Sequence, residues 1–139
     1  MKRSPVATAV VLLASFLVGP GLAAAGGGPD ELPIELRLVR CTALRTQYEG
    51  QLERVASGKD PPAQLLAAAR ELTDAEVGLV ASREAQVAAL QTGVARLAEV
   101  EQVIARLVAA GRRPPADAEK ATAARRAVVD RLKMLMAEE

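Results

Sequence analysis

The sequence predicts an all-α fold: two antiparallel αα-hairpins forming a three- or four-helix, coiled-coil-like bundle. Three observations predict it. Apolar residues recur at heptad or 3,4 spacing from Ile34 to Leu135. No window alternates apolar with polar residues while being rich in Val, Ile, Thr and aromatics, so no strand is expected. Finally, one glycine and double-proline corner occurs twice, as VASGKDPPA at 55–63 and VAAGRRPPA at 108–116. Val55, Ala56, Gly58, Pro61, Pro62 and Ala63 recur as Val108, Ala109, Gly111, Pro114, Pro115 and Ala116, with Lys59 matched by Arg112.

The 139 residues have room for one domain. Residues 1–25 read as a secretory signal: the basic Met1-Lys2-Arg3, the apolar run Val6 to Val18, the Gly19-Pro20 break and the small residues Ala23-Ala24-Ala25. Cleavage is expected after Ala25, because the apolar run is short for a membrane span; retention as an anchor is the alternative. Residues 26–33 form a flexible leader, and the helical-hairpin domain occupies 34–137. Arg40 directly before Cys41, and the distance from the apolar run, argue against a lipoprotein signal.

The first helix is predicted from Ile34 to about Ser57. Ile34, Cys41, Tyr48 and Val55 share one heptad series, Leu38 and Leu52 lie on its partner series, and Arg45 interrupts the latter. Gly58 stops the helix and Pro61-Pro62 begin the next, with Asp60 placed to cap it. The second helix, about Pro62 to Val80, carries Leu65, Ala69, Leu72 and Leu79, with Glu76 in the stripe. Around Gly78 to Ser82 the helical signal weakens, and Ser82 is suited to cap a fresh start. The third helix, about Arg83 to Ala110, carries Val87, Leu90, Val94, Leu97, Ile104 and Val108, with Glu101 as the polar exception. Gly111 stops it, Pro114-Pro115 restart the chain, and the fourth runs from about Pro115 to Met136. Its stripe is Ala118, Ala121, Val128, Leu132 and Leu135, interrupted by Arg125. If the break near Gly78 is a turn, the bundle closes with four helices; if it is a kink, the second and third helices merge into one rod.

Composition narrows the chemistry. There is no histidine or tryptophan and one cysteine, so no cofactor, metal or enzymatic activity is expected. Glu71, Asp74, Asp117 and Glu119 read as carboxylates on solvated faces. Removing Lys2 and Arg3 from the 18 basic residues leaves 16 against 17 acidic ones, a net of −1 that gives no reason to bind nucleic acid. Arg45, Glu76, Glu101 and Arg125 each break an apolar stripe, one per helix, which predicts inter-helix ion pairs; a polar partner-binding groove is the alternative. Cys41, on a buried heptad position, reads as a small hydrophobe, or as an intermolecular thiol in an oxidising compartment.

The two corners, together with the helix that each one opens, resemble the periplasmic helical hairpins of outer-membrane efflux channels, the TolC-like family. The first offers Gly58-Lys59, Leu65-Leu66, Ala68, Ala75-Glu76 and Leu79. The second offers Gly111-Arg112, Asp117 and Ala121, but departs at Glu119 and Val128-Val129. The resemblance covers roughly residues 53 to 132 and implies a hairpin module of the envelope, not a pore, since barrel strands and tunnel-length helices are missing. Leu72-Thr73-Asp74-Ala75-Glu76 is faintly similar to the Leu-Thr-x-x-Gln repeats of periplasmic helical chaperones and stress sensors. The expected function is therefore that of an exported, non-enzymatic helical protein of the periplasm or envelope, with another envelope protein or a second copy as partner. A periplasmic chaperone or stress sensor is the alternative.

Overall fold

Glycine with a positive φ ends two helices in the same way, and those two ends frame the molecule. The computed structural model describes residues 32–138; the expected signal and residues 26–31 of the leader lie outside them. Four helices follow in order: α1 Ile34–Ala56, α2 Ala63–Gly78, α3 Arg83–Ala109 and α4 Pro115–Ala137. No strand occurs among the described residues.

At the end of α1, Gly58 has φ +77°. Its N–H donates to Val55 O at 2.9 Å, and Lys59 N–H donates to Arg54 O at 2.8 Å. At the end of α3, Gly111 has φ +72°, its N–H donates to Val108 O at 3.0 Å, and Arg112 N–H donates to Leu107 O at 2.8 Å. Both corners are therefore Schellman motifs, which satisfy the last helical carbonyls through a left-handed residue. The duplicated sequence encodes a duplicated hydrogen-bond pattern.

The two corners differ after the glycine. Asp60, expected to cap α2, instead accepts from Arg54, Nε to Oδ2 at 2.6 Å and Nη2 to Oδ1 at 3.1 Å, and α2 begins without a side-chain cap. A forked guanidinium offers the carboxylate two charge-assisted bonds, which outcompete a neutral amide. In the second corner Arg113 Nε donates to Asp117 Oδ2 at 2.7 Å, inside the first turn of α4.

The break near Gly78 is a turn, and it is built differently. Leu79 N–H and Val80 N–H reach back three residues to Glu76 O and Val77 O, both at 3.3 Å, tightening the end of α2. This ends α2 at Gly78, two residues before the expected Val80. Ser82 then caps α3, its hydroxyl accepting from Ala85 N–H at 3.2 Å.

Gln51 with Gln64 and Arg45 with Glu76 pair early α2 with late α1, and late α2 with earlier α1, so these helices run antiparallel. Arg83 with Leu135 and Glu101 with Thr122 show the same for α3 and α4. Arg112 Nη2 donates to Ser57 O at 3.4 Å, which brings the two corners together at one end. At the other end Arg37 Nη1 donates to Gly78 O at 2.7 Å, and Arg83 donates to Leu135 O at 3.1 Å and Met136 O at 2.7 Å. The chain thus closes with four helices, and the merged rod is set aside. Helices α2 and α3 are the inner pair; α1 and α4 scarcely touch.

The core contains Cys41, Tyr48 and Val55 of α1, Leu65, Ala69 and Leu72 of α2, Leu90, Leu97 and Ile104 of α3, and Ala121 and Val128 of α4. Leu44, Ala68, Val100, Leu107 and Ala124 join them from positions beside the predicted stripes. Ile34 and Leu38, expected on the buried face of α1, are 42% and 51% exposed. The reason is length: α1 has 23 residues and α2 only 16, so α1 extends roughly 10 Å further.

Candidate functional site

A polar cluster interrupts the core where α1, α2 and α3 meet. Its centre is Arg96 of α3, whose side chain is only 9% exposed. Nη2 donates to Glu76 Oε1 at 2.5 Å and Nη1 donates to Thr73 Oγ1 at 3.1 Å. The guanidinium carbon lies 5.5 Å from the centroid of the Tyr48 ring, a cation–π distance. Tyr48 Oη donates to the Arg96 carbonyl at 3.4 Å, so this side chain supports Arg96 from both sides.

Room for the cluster comes from Gly93. A Cβ there would meet Thr73 Cγ2 at 2.5 Å and Oγ1 at 2.8 Å, so α2 and α3 approach through a glycine–threonine contact. Thr73 Oγ1 also donates to Ala69 O at 2.9 Å, so this buried hydroxyl both donates and accepts.

The four residues expected to form ion pairs fall into two pairs. Arg45 Nη2 reaches Glu76 Oε2 at 3.5 Å and Cys41 Sγ at 3.9 Å. Half the Arg45 side chain is exposed, so this arm contributes little beside Arg96, whose side chain is 9% exposed. In the second hairpin Arg125 Nε donates to Glu101 Oε2 at 2.5 Å and Thr122 Oγ1 donates to Oε1 at 2.9 Å. The Arg125 hydrogen bond chiefly holds the Glu101 carboxyl below its usual range, with Thr122 assisting against some desolvation. Both Glu101 oxygens are therefore occupied, which suits a fixed ion pair.

Burial pushes Tyr48 up to about 12, Glu99 adds to the rise, and Arg96 opposes it. Burial likewise raises the Cys41 thiol, with Glu76 adding to the effect. At 3% exposure Cys41 is part of the core of the single chain, packed as a small apolar side chain on α1.

Of the carboxylates expected on solvated faces, Asp74 is exposed and the Asp117 side chain is only 12% exposed, and each is paired with an arginine. Asp74 Oδ1 receives Arg131 Nη1 at 2.6 Å, linking α2 to α4, and Asp117 is held by Arg113. A hollow of about 170 Å³ lies between α2 and α4, floored by Thr73, Ala124, Ala127 and Val128 and flanked by Arg70, Asp74 and Arg131. It carries no pair of carboxylates. Among the described residues no group of three or more His, Cys, Asp or Glu is placed to hold a metal ion.

The other notable surface lies opposite the corners. Ile34 and Leu38 at the start of α1, and Met134 and Met136 at the end of α4, are all exposed large hydrophobics. Arg37 and Arg83 tie those two helix ends to either side of the 78–83 turn. The end opposite the corners therefore exposes two pairs of large hydrophobics, one on α1 and one on α4, among the exposed charges Glu35, Lys133 and Glu138. No helix among the described residues is long and apolar enough to cross a membrane.

No protein-family model matches the chain, and neither a curated protein nor a solved structure matches it.

Arg96, Thr73 and Gly93 escaped the reading of heptad stripes, which searches for polar residues at apolar positions. Arg96 sits beside the stripe between Val94 and Leu97, and its burial depends on the space left by Gly93. An isolated glycine within a strong helical pattern was the available signal.

Proposed function

We propose that the chain is an exported, non-enzymatic helical module of the periplasm or cell envelope that binds another envelope protein or a second copy of itself. The observation that carries this reading is the exposure of Ile34 and Leu38 on α1 and of Met134 and Met136 on α4, all at the end of the bundle opposite the corners. Single exposed hydrophobics are ordinary on a protein surface, but a shared location is a mark of contact with a partner. The signal-like residues 1–25 and the likeness of both corners to efflux-channel hairpins support the envelope setting. The polar cluster and the Glu101–Arg125 pair then serve to fix helix register.

Cell fractionation combined with a photo-crosslinker at Met134 tests both parts. The expected result is a product in the envelope fraction that lacks Met1–Ala25 and crosslinks to one protein. A cytoplasmic protein with those residues intact would defeat the export reading, and crosslinking to nothing, its own chain included, would defeat the interaction reading.

A second reading, a periplasmic chaperone or stress sensor, is favoured by the exposure of Met134 and Met136, whose unbranched side chains adapt to varied apolar clients. It predicts that the protein suppresses aggregation of an unfolded client, and that Met134→Glu with Met136→Glu removes this effect.

A further inference from the structure

The three turns of the bundle differ in what enforces them. Both corners have a positive-φ glycine followed by two prolines, so neither can be absorbed into a continuous helix. The 78–83 turn has neither. Leu79 is already helical, with φ −77° and ψ −19°. Ser82, with φ −75° and ψ 146°, differs from a helical residue only in ψ. Val80 and Ala81 are ordinary L residues with no positive φ.

Besides its local bonds, which are the Ser82 cap and Gln86 Nε2 on Val80 O, tertiary contacts hold this turn: Arg37 on Gly78 O, Arg83 on the last carbonyls of α4, Glu76 with Arg96, and Asp74 with Arg131. The last two join one hairpin to the other. They form equally well if the two hairpins come from different chains.

We infer that this turn is a hinge, and that a second copy of the chain exchanges its α3–α4 hairpin with the first. In the exchanged dimer α2, residues 79–82 and α3 run as one helix from Ala63 to Ala109, roughly 70 Å long. The Arg96–Glu76, Arg131–Asp74 and Thr73–Gly93 contacts are all remade between chains, so opening the monomer loses only the turn itself. Domain swapping is a low-cost route to a dimer for this reason.

The surface supplies an independent argument for the same partner. Two bundles joined through continuous helices abut at their hinge ends, and that is where Ile34, Leu38, Met134 and Met136 are exposed. The exchange places these side chains at the junction, which gives the dimer an apolar contact that the monomer lacks. The inference deepens the interaction reading by naming the second copy as partner, and rests on that reading only for its use in the cell.

Light scattering on the full chain, refolded over a range of concentrations, tests the inference together with spin labels at Lys59→Cys and Ala110→Cys in a Cys41→Ala background. Labelled chain is diluted into excess unlabelled chain, so that only distances within one chain are read. A monomer and a dimer are expected, with the dimer rising with concentration. The label distance changes from adjacent corners in the monomer to roughly 70 Å in the dimer. Gly78→Ala with Ser82→Ala, which favours a continuous helix, raises the dimer fraction at least tenfold. Ala81→Pro interrupts that helix and gives only monomer; the Ala81 N–H donates to no backbone carbonyl, so the closed turn tolerates the change. A dimer whose labels stay close overturns the exchange, as does a double variant that remains monomeric at every concentration. Crosslinking of monomeric protein to a different partner would overturn the exchange while leaving the interaction reading intact.

Discussion

Arg96 shows how much a single side chain can organise when the space around it is built for it. It joins α3 to α2 through Glu76 and Thr73 and to α1 through Tyr48. Arg96→Ala leaves Glu76 with only its exposed Arg45 partner, and is expected to cost about 2–4 kcal/mol in chemical denaturation. Arg96→Met with Glu76→Leu should recover most of that loss, because replacing both members of a buried pair by apolar residues removes the unpaired charge. Gly93→Ala should cost about 1–3 kcal/mol, since the new Cβ meets Thr73. Thr73→Ala in the same chain relieves the collision, and partial recovery is the expected outcome. Arg45, Glu76, Glu101 and Arg125 were legible in the sequence because a charge in an apolar stripe stands out. Which arginine Glu76 would hold most closely was not legible, because that depends on the approach of α2 to α3 at Gly93.

Among the helices, the duplicated corner gives the clearest correspondence between sequence and structure. Gly58 and Gly111 adopt φ values of +77° and +72° and take the same place in a Schellman motif. An L side chain at either position costs roughly 1–2 kcal/mol in the left-handed region. The two sites nevertheless differ, because a Cβ on Gly58 falls on the Arg112 guanidinium while nothing lies within 4 Å at Gly111. Gly58→Ala should therefore lower the melting temperature more than Gly111→Ala, and Arg112→Ala should bring the two variants close together. Helix limits were readable to within two residues wherever glycine, proline or a serine cap marked them. The turn at 78–83 was ambiguous because its residues are compatible with helix; the Ser82 cap marks a restart, and contacts with α1 and α4 join it in bending the chain there.

For the molecule as a whole, pH dependence follows from groups with shifted titration, among them Glu101, Cys41 and Tyr48. Glu101 is held below its usual range by Arg125. Its contribution is present above the unfolded carboxylate range and is lost as pH falls through the folded value. Cys41 and Tyr48 shift the other way, chiefly through burial, with Tyr48 at about 12. Their contributions are complete below the unfolded values of 9.0 and 10.0 and decline as pH rises beyond them, because the folded chain then retains protons that the unfolded chain releases. Stability should form a plateau that falls on the acid side and again above about pH 9. Tyr48 is the only aromatic residue of the helical domain, so tyrosinate absorbance reads its titration directly, and ionisation near 10 in the folded protein would contradict its burial. By itself the sequence determined the helical class, the two corners, the stripe charges and the near-neutral balance, because these arise from local backbone preferences and periodicity. Tertiary structure decided that the chain closes with four helices, that the Arg96 side chain is enclosed beside Glu76 and Thr73, that Cys41 packs in the core, and that α1, longer than α2, leaves Ile34 and Leu38 exposed. Those outcomes depend on relative helix lengths and on how closely α2 and α3 approach, and neither is a property of any one segment.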